Sequence, residues 1–194
     1  MKQLRNILSN SAGFTMAELM VTTVILSLVL VVINGVFFST NEMYVKTNRR
    51  AAIQMDARLG SSILLKELRH AGCDPTGTAL NSGLGLADAT AIRVLADMDA
   101  DGNITTIEPS EDVTYTYNAA QQTLFRNPGA GPQPIATNVT AFNFTYFDNN
   151  NNALGPLPLT AQQMTQVGSI GLTMTTADQD VGTVTVTTTI ALRN

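Results

Sequence analysis

The 194-residue chain has no tryptophan, one cysteine, one histidine and few charges, only 13% of its residues. Each scarcity closes a route. With Cys73 alone, no disulfide can form within the chain, and cysteine spacing says nothing about its compartment. With His70 alone, a His-rich metal site is excluded. Cys73 lies close to His70 and Asp74, but the three fall in "HAGCDPTG", where a helix is expected to stop, and a structural role accounts for them. Lysine is absent after Lys66: residues 73–194 hold three arginines against eleven acids, a net of −8. Such a surface repels a phosphate backbone, so nucleic-acid binding by this part is not expected. Residues 40–72 instead carry six bases against three acids, and the first thirteen residues carry Lys2 and Arg5 with no acid.

What the chain does have is an apolar run. Leu19 to Phe38 is twenty residues without a formal charge, dominated by Leu, Val, Ile and Phe. As a helix it spans roughly 30 Å, the thickness of a bilayer's hydrocarbon core. The basic leader before it predicts a cytoplasmic N-terminus with the bulk of the chain outside. A cleaved secretory signal has a shorter apolar core, about 7–15 residues, and a small-residue cleavage site. The segment after the run, "NGVFFSTNEM", offers none. Glu18 stands at the head of this run, where a carboxylate costs a few kcal/mol unless a partner meets it. A place on the first helical turn, where the helix dipole favours an acid, would be one explanation.

The surrounding residues supply another. Gly13 closes the basic leader, Phe14 follows, and Glu18 is the fifth residue counted from Phe14. "GFTMAELMV" resembles the class III signal of type IV pilins and their relatives, which reads roughly G-F-T-L-x-E, with Met16 where leucine is common. The resemblance implies that a prepilin peptidase on the cytoplasmic face of the bacterial inner membrane cuts between Gly13 and Phe14. It also implies that the new Phe14 amine is methylated, and that Glu18 neutralises the terminal amine of a neighbouring subunit during assembly. A buried acid is tolerable when a buried cation is delivered to it.

The helical pattern continues past the membrane. Ala52, Met55, Leu59 and Ile63 recur at spacings of three and four, and Leu64, Leu68 and Ala71 add a second strip beside them. The stop is expected at "AGCDPTG", with Gly72 as the cap and Pro75 beyond it. A helix from Phe14 to Ala71 would run on the order of 85 Å, with Asn34-Gly35 and Gly60 as places to bend or partly melt. Beyond Thr76 the period becomes two. Ala91–Ala96, Val113–Tyr117, Phe142–Tyr146, Ile170–Met174 and the stretch from Thr183 to Leu192 read as strands, several with one apolar and one Thr/Asn face. "RNPGAGPQP" and "DNNNNALGPLPL" read as connectors. The expected fold is α+β: a long N-terminal helix, transmembrane in its first half and amphipathic in its second, covering an antiparallel sheet through Ala52–Ile63. The expected division is a leader at 1–13, the helix at 14–72 with its anchor at 14–38, and a β-rich periplasmic head at 73–194. The order "MDARLGSSILLKELRHAG", "IRVLADMDADG", "EDVTYTY", "TLFRNP", "IATNVTAFNFTYFD" resembles minor pilins of the PilW/PulJ type. That implies an initiation or tip subunit of a type IV pilus or of a type II secretion pseudopilus.

One loop carries its own chemistry. "DMDADGNITTIE", Asp97 to Glu108, fits the twelve-residue pattern of an EF-hand calcium loop. Asp97, Asp99 and Asp101 would give side-chain oxygens, Gly102 the turn, Asn103 a backbone carbonyl, Thr105 a water-mediated contact and Glu108 a closing carboxylate. Strands rather than helices flank it, so a non-EF Ca²⁺ loop at a β connection is one expectation and a solvated Asp-Gly turn the other. "DNNNNALG", with Asp148, Asn150 and Asn152, is a weaker echo that reads as a polar turn.

The leading expectation is therefore a structural subunit that catalyses no reaction and is itself a substrate of the peptidase. Its partners would be other pilin or pseudopilin subunits, met through the N-terminal helix. The alternative is an uncleaved, single-pass sensor or adhesin with a calcium-binding periplasmic module. A membrane-anchored enzyme has the least support, because no nucleophile–base pair stands out from the acidic background.

Overall fold

The computed structural model describes residues 13–77, 80, 82–105, 111–178 and 182–192. Ten elements follow in order: α1 (Met16–Leu68), β1 (Leu84–Ala87), β2 (Ala91–Leu95), β3 (Asp112–Asn118), β4 (Thr123–Asn127), β5 (Gln133–Ala136), β6 (Val139–Asp148), α2 (Ala161–Met164), β7 (Val167–Asp178) and β8 (Gly182–Ala191). The architecture is α+β, a long N-terminal helix followed by antiparallel sheets. Two compact units divide between Lys46 and Thr47.

The first unit holds the apolar part of α1. Its Leu, Val, Ile and Phe side chains are exposed on every side of the helix, and the segment is long and apolar enough to cross a membrane. The helix runs unbroken through Asn34-Gly35, where Asn34 Nδ2 donates to the Leu30 carbonyl at 2.7 Å. The helix melts neither there nor at Gly60.

In the second unit two antiparallel sheets, β1-β2-β3-β4-β5 and β6-β7-β8, share one core with the rest of α1. Strand formation follows the alternation: Phe142, Phe144 and Tyr146 of β6 are buried while Asn143 and Thr145 are exposed. Their rings pack on one another, with Phe142 and Phe144 edge to face at 4.8 Å and Tyr117 of β3 stacked on Phe142 at 5.6 Å. The β1–β2 turn closes onto β6, where Phe144 donates its amide to the Ala89 carbonyl and the Tyr146 hydroxyl donates to that of Asp88, both at 2.8 Å.

The helix does not lie on the sheets by the expected strip. Met55 and Leu59 are 71% and 56% exposed, Ala52 is exposed and Ile63 half-buried. The buried face is Ile53, Ala57, Gly60, Ser61, Leu64 and Leu68, with Ala71 beyond the helix. Its small residues explain the choice. A Cβ on Gly60 would stand 2.8 Å from the Ile135 carbonyl oxygen and 2.9 Å from the Ala136 Cβ, so only a helix face without bulk there can approach β5 this closely. The helix ends at Leu68, because His70 and Ala71 donate to carbonyls three residues back and Gly72 takes a left-handed φ of 78°.

A polar cluster ties this end of α1 to the first sheet. Glu67 accepts from the fully buried Tyr115 hydroxyl of β3, and from Arg126 Nε of β4 at 2.9 Å. Burial, then the bond to Glu67, pushes the Tyr115 pKa well above the ordinary tyrosine value. Burial works against charge on Arg126, but its bonds to Glu67 outweigh that and raise its pKa. On the other face of this sheet, Arg93 of β2 grips Asp112 of β3 with two bonds, 2.7 and 2.6 Å, and the bonded carboxylate raises the Arg93 pKa.

The expected strands β2, β3, β6, β7 and β8 are present, while β1, β4 and β5 were not anticipated. "RNPGAGPQP" is not all connector: Arg126 and Asn127 end β4, and Gln133 and Pro134 begin β5, leaving 128–132 between them. Pro134 is tolerated because β5 is the edge of its sheet.

Candidate functional site

Two places answer to the residues singled out from the sequence. The first is the head of α1. Gly13, Phe14 and Thr15 precede the helix in non-helical backbone, Gly13 has open space around it, and the Phe14 ring is 83% exposed. A peptidase cutting between Gly13 and Phe14 would meet an accessible bond outside helical structure. Residues 1–12, the rest of the expected leader, lie outside the described residues.

Thr15 and Glu18 form a reciprocal cap. The Thr15 amide and hydroxyl each donate to Glu18 Oε2 at 2.9 Å, and the Glu18 amide donates to Thr15 Oγ1 at 3.3 Å. Ser/Thr followed three residues later by Glu is the capping-box arrangement, which satisfies amides that the first helical turn leaves unpaired. The cap fixes the Glu18 side chain beside the first turn and engages Oε2. Among the described residues Oε1 makes no hydrogen bond, which leaves an acceptor a few residues from the Phe14 nitrogen. The same threonine that completes "GFT" thus orients the acid, a role not anticipated from the sequence.

The second place is the acidic loop after β2. Asp97 is fully buried: Oδ1 accepts from the Ala100 amide at 2.7 Å and Oδ2 from that of Gly102 at 3.1 Å. Ala100 and Gly102 have φ of 65° and 80°, which curls the loop back over Asp97. Asp99 Oδ1 caps the Asp101 amide at 3.0 Å, and Asp101 Oδ1 caps that of Asn103 at 2.7 Å. The third carboxylate brought in is Glu111, 2% exposed, whose Oε1 accepts from the Met98 amide at 3.0 Å. One oxygen each from Asp97, Asp99 and Glu111 lies within 4.8 Å of the others.

Of the expected calcium ligands, Asp97 and Asp99 are therefore brought together. Asp101 and Asn103 lie exposed along the turn, Thr105 is half-buried, and Glu108 lies outside the described residues. Glu111 was missed. The twelve-residue pattern ends at Glu108, but Glu111 follows three positions on, in the turn just before β3 begins at Asp112. The chemistry of the set suits a hard cation: three carboxylates, two of them buried and bonded to backbone amides. Asp148 behaves differently. Its Oδ1 accepts from the amides of Asn150 and Asn152, both at 2.8 Å, and its Oδ2 from Asn152 Nδ2 at 2.9 Å. The Asn152 bonds above all lower its pKa, and the turn satisfies its own acid.

Residues 8–34 match the family model of the prokaryotic N-terminal methylation motif. The match spans Gly13, Phe14, Thr15, Glu18 and most of the apolar segment. None of the curated proteins matches the chain. The motif supports the type IV pilin and pseudopilin class, with assembly among pilin subunits and processing by a prepilin peptidase as its implied partners.

Proposed function

We propose that the chain is a minor pilin or pseudopilin, held in the bacterial inner membrane by the first half of α1 until it enters a type IV pilus or secretion pseudopilus through that helix. It works by packing rather than by catalysis. The observation that carries this reading is the methylation motif over residues 8–34, set on an accessible Gly13–Phe14 bond and a Glu18 that the Thr15 cap holds in place. Removal of the leader leaves 181 residues (194 − 13) with a charged amine on Phe14. In a lipid setting that amine needs an anion, and Glu18 of a neighbouring subunit supplies one. A role in initiation or at the tip rests on the similarity in motif order to PilW/PulJ-type subunits. The test is the mass and N-terminal sequence of the protein from membranes of cells carrying a prepilin peptidase. A 181-residue chain beginning at N-methylated Phe14 supports the proposal. An intact Met1 terminus overturns it in favour of an uncleaved, single-pass protein.

Within this reading the loop is a Ca²⁺ site, with Asp97, Asp99 and Glu111 as its carboxylate ligands. Two buried carboxylates side by side repel unless a cation or a shared proton intervenes. Oxygens bound to one Ca²⁺ sit 2.3–2.6 Å from it and thus up to roughly 5 Å from each other, a spacing these oxygens already satisfy. Calcium at a hundredfold excess over its dissociation constant should stabilise the fold by about 2.7 kcal/mol. Thermal unfolding with calcium and with a chelator reads this directly. A melting temperature that ignores calcium, or a gain that survives Glu111→Gln, removes the site.

A further inference from the structure

The strands at the margins of the two sheets are not alike. β1 has four residues and β5 carries Pro134, both poor templates for another strand. The outer margin of β6 is in use: besides Phe144 bonding Ala89, the Val139 amide donates to the Gln122 carbonyl and the Leu154 amide to that of Tyr146, each at 2.8 Å. β8 differs. It runs ten residues as GTVTVTTTIA, without a charge or a proline, and among the described residues its one strand neighbour is β7.

Its backbone directions can be assigned. The Leu192 amide donates to the Gly168 carbonyl at 2.9 Å, continuing a register in which Ile190 faces Ile170 and Thr188 faces Leu172. Pairs along an antiparallel ladder alternate between bonded and non-bonded, so Ile190, Thr188, Val186 and Val184 direct their backbone groups at β7. The N–H and C=O of Thr183, Thr185, Thr187, Thr189 and Ala191 point outward, and among the described residues nothing pairs with them.

We infer that this margin is the docking surface for a second copy of the same chain, β8 pairing antiparallel with β8 about a two-fold axis at Thr187. In that register Thr187 meets Thr187, Thr185 meets Thr189 and Thr183 meets Ala191, so every outward backbone group finds a partner. The register also preserves the faces: Val184 comes opposite Ile190 and Val186 opposite Thr188. Charge favours the same arrangement. A groove of about 510 Å³ separates the end of α1 from the C-terminal half of β8, lined by Leu65, Arg69, His70 and residues 188–191. Asp178 ends β7 just before β8 begins. Antiparallel pairing carries the Asp178 end of each copy towards the Arg69 end of the other, twice over. β8 itself brings no charge to the axis. The contact is isologous and closed, and it depends on neither the leader nor its processing.

The test uses the full chain in detergent micelles with Cys73→Ser as background. Thr187→Cys places the new thiols across the axis with Cα atoms about 5.5 Å apart, within disulfide reach. Oxidation should give a linked dimer, while Thr145→Cys, exposed on β6, should not. By sedimentation, Thr187→Pro should weaken association at least tenfold and leave the melting transition in place, since that amide lies outside the β7 ladder. Thr187→Lys, which sets like charges opposite each other, should do the same should the proline variant fail to fold. A chain that stays monomeric overturns the inference. So does a dimer that persists in the folded Thr187→Pro or Thr187→Lys variant, or equal cross-linking at positions 145 and 187.

Discussion

The two halves of α1 share a backbone conformation and differ in what surrounds them. Before Lys46, Leu, Val, Ile and Phe cover the helix all round and none of them is buried by protein. After Thr47, the helix buries one face, and that face includes a glycine and a serine as well as Ile53, Leu64 and Leu68. Met55 and Leu59 point outward while Gly60 and Ser61 point in. Hydrophobicity all round, with no protein covering it, suits a helix long enough to cross a membrane. In the packed half, shape decides instead: the side that faces the sheets is the one that lets two backbones approach.

The sharpest way to break this contrast is to truncate one residue on each side of the second half. Leu64 is fully buried, so Leu64→Ala should cost about 3 kcal/mol through lost burial and the cavity left behind. Leu59→Ala, on the outward side, should stay within about 0.5 kcal/mol. Denaturant unfolding of the full chain in detergent, followed by tyrosine circular dichroism, separates them. Comparable losses would mean that the burial is assigned to the wrong face.

Glu67→Ala comes next, at about 3 kcal/mol, because it removes the carboxylate that the partly buried Arg126 guanidinium and the buried Tyr115 hydroxyl both bond. A related effect follows from pH. Burial first, then Glu67 for Tyr115 and Asp88 for Tyr146, raise both tyrosine pKa values above the ordinary 10.0. A group raised on folding gives its full stabilisation below its unfolded pKa and loses it as pH climbs towards the folded value. Stability should therefore be flat in these groups at neutral pH and fall above about pH 10. Tyrosinate absorbance from Tyr115 and Tyr146 should appear together with unfolding. Smooth titration of all tyrosines in the folded chain would contradict their burial.

The sequence disclosed the elements whose pattern is long. The lipid-facing run needs only composition, and β6, β7 and β8 alternate over ten residues or more. The rest depended on what no local pattern contains. β1 and β5 have four residues each, too few to establish a period, and Pro134 reads as loop until its place at a sheet margin is known. The strip Ala52–Met55–Leu59–Ile63 has the spacing of a buried face, but the close approach of β5 selects the face of Gly60. In the acidic loop, Asp97 and Asp99 were legible from the Asp-x-Asp spacing. Glu111 was not, because its nearness to Asp97 depends on β2 and β3 pairing, with Leu95 opposite Asp112.

Gly60 and Gly35 turn the contrast between the halves into a matched pair. Gly60→Ala puts its methyl against the Ile135 carbonyl and the Ala136 side chain, and should cost about 2 kcal/mol as strain, despite the better helix propensity of alanine. Gly35→Ala meets nothing within 4 Å and should leave the unfolding of the second unit unchanged. Equal losses would mean that glycine serves flexibility in both places rather than close packing in one.

The smallest expected effect lies at the head of the helix, where the lipid-facing half begins. Thr15→Ala removes the hydroxyl that accepts from the Glu18 amide and donates to Glu18 Oε2. Losing such a cap costs about 1 kcal/mol. That cost should be confined to fraying of the first turn, because no buried residue depends on it. Hydrogen exchange of the Glu18 amide should accelerate roughly fivefold, the factor that about 1 kcal/mol corresponds to, while the melting temperature of the packed half holds. Thr160 makes the same reciprocal bonds with Gln163 ahead of α2, so Thr160→Ala should likewise speed exchange at the Gln163 amide. The two caps would then differ in purpose rather than strength. The amide oxygen of Gln163 can complete a cap but carries no charge, whereas Glu18 brings a carboxylate that, once Thr15 has fixed it, can also meet an amine.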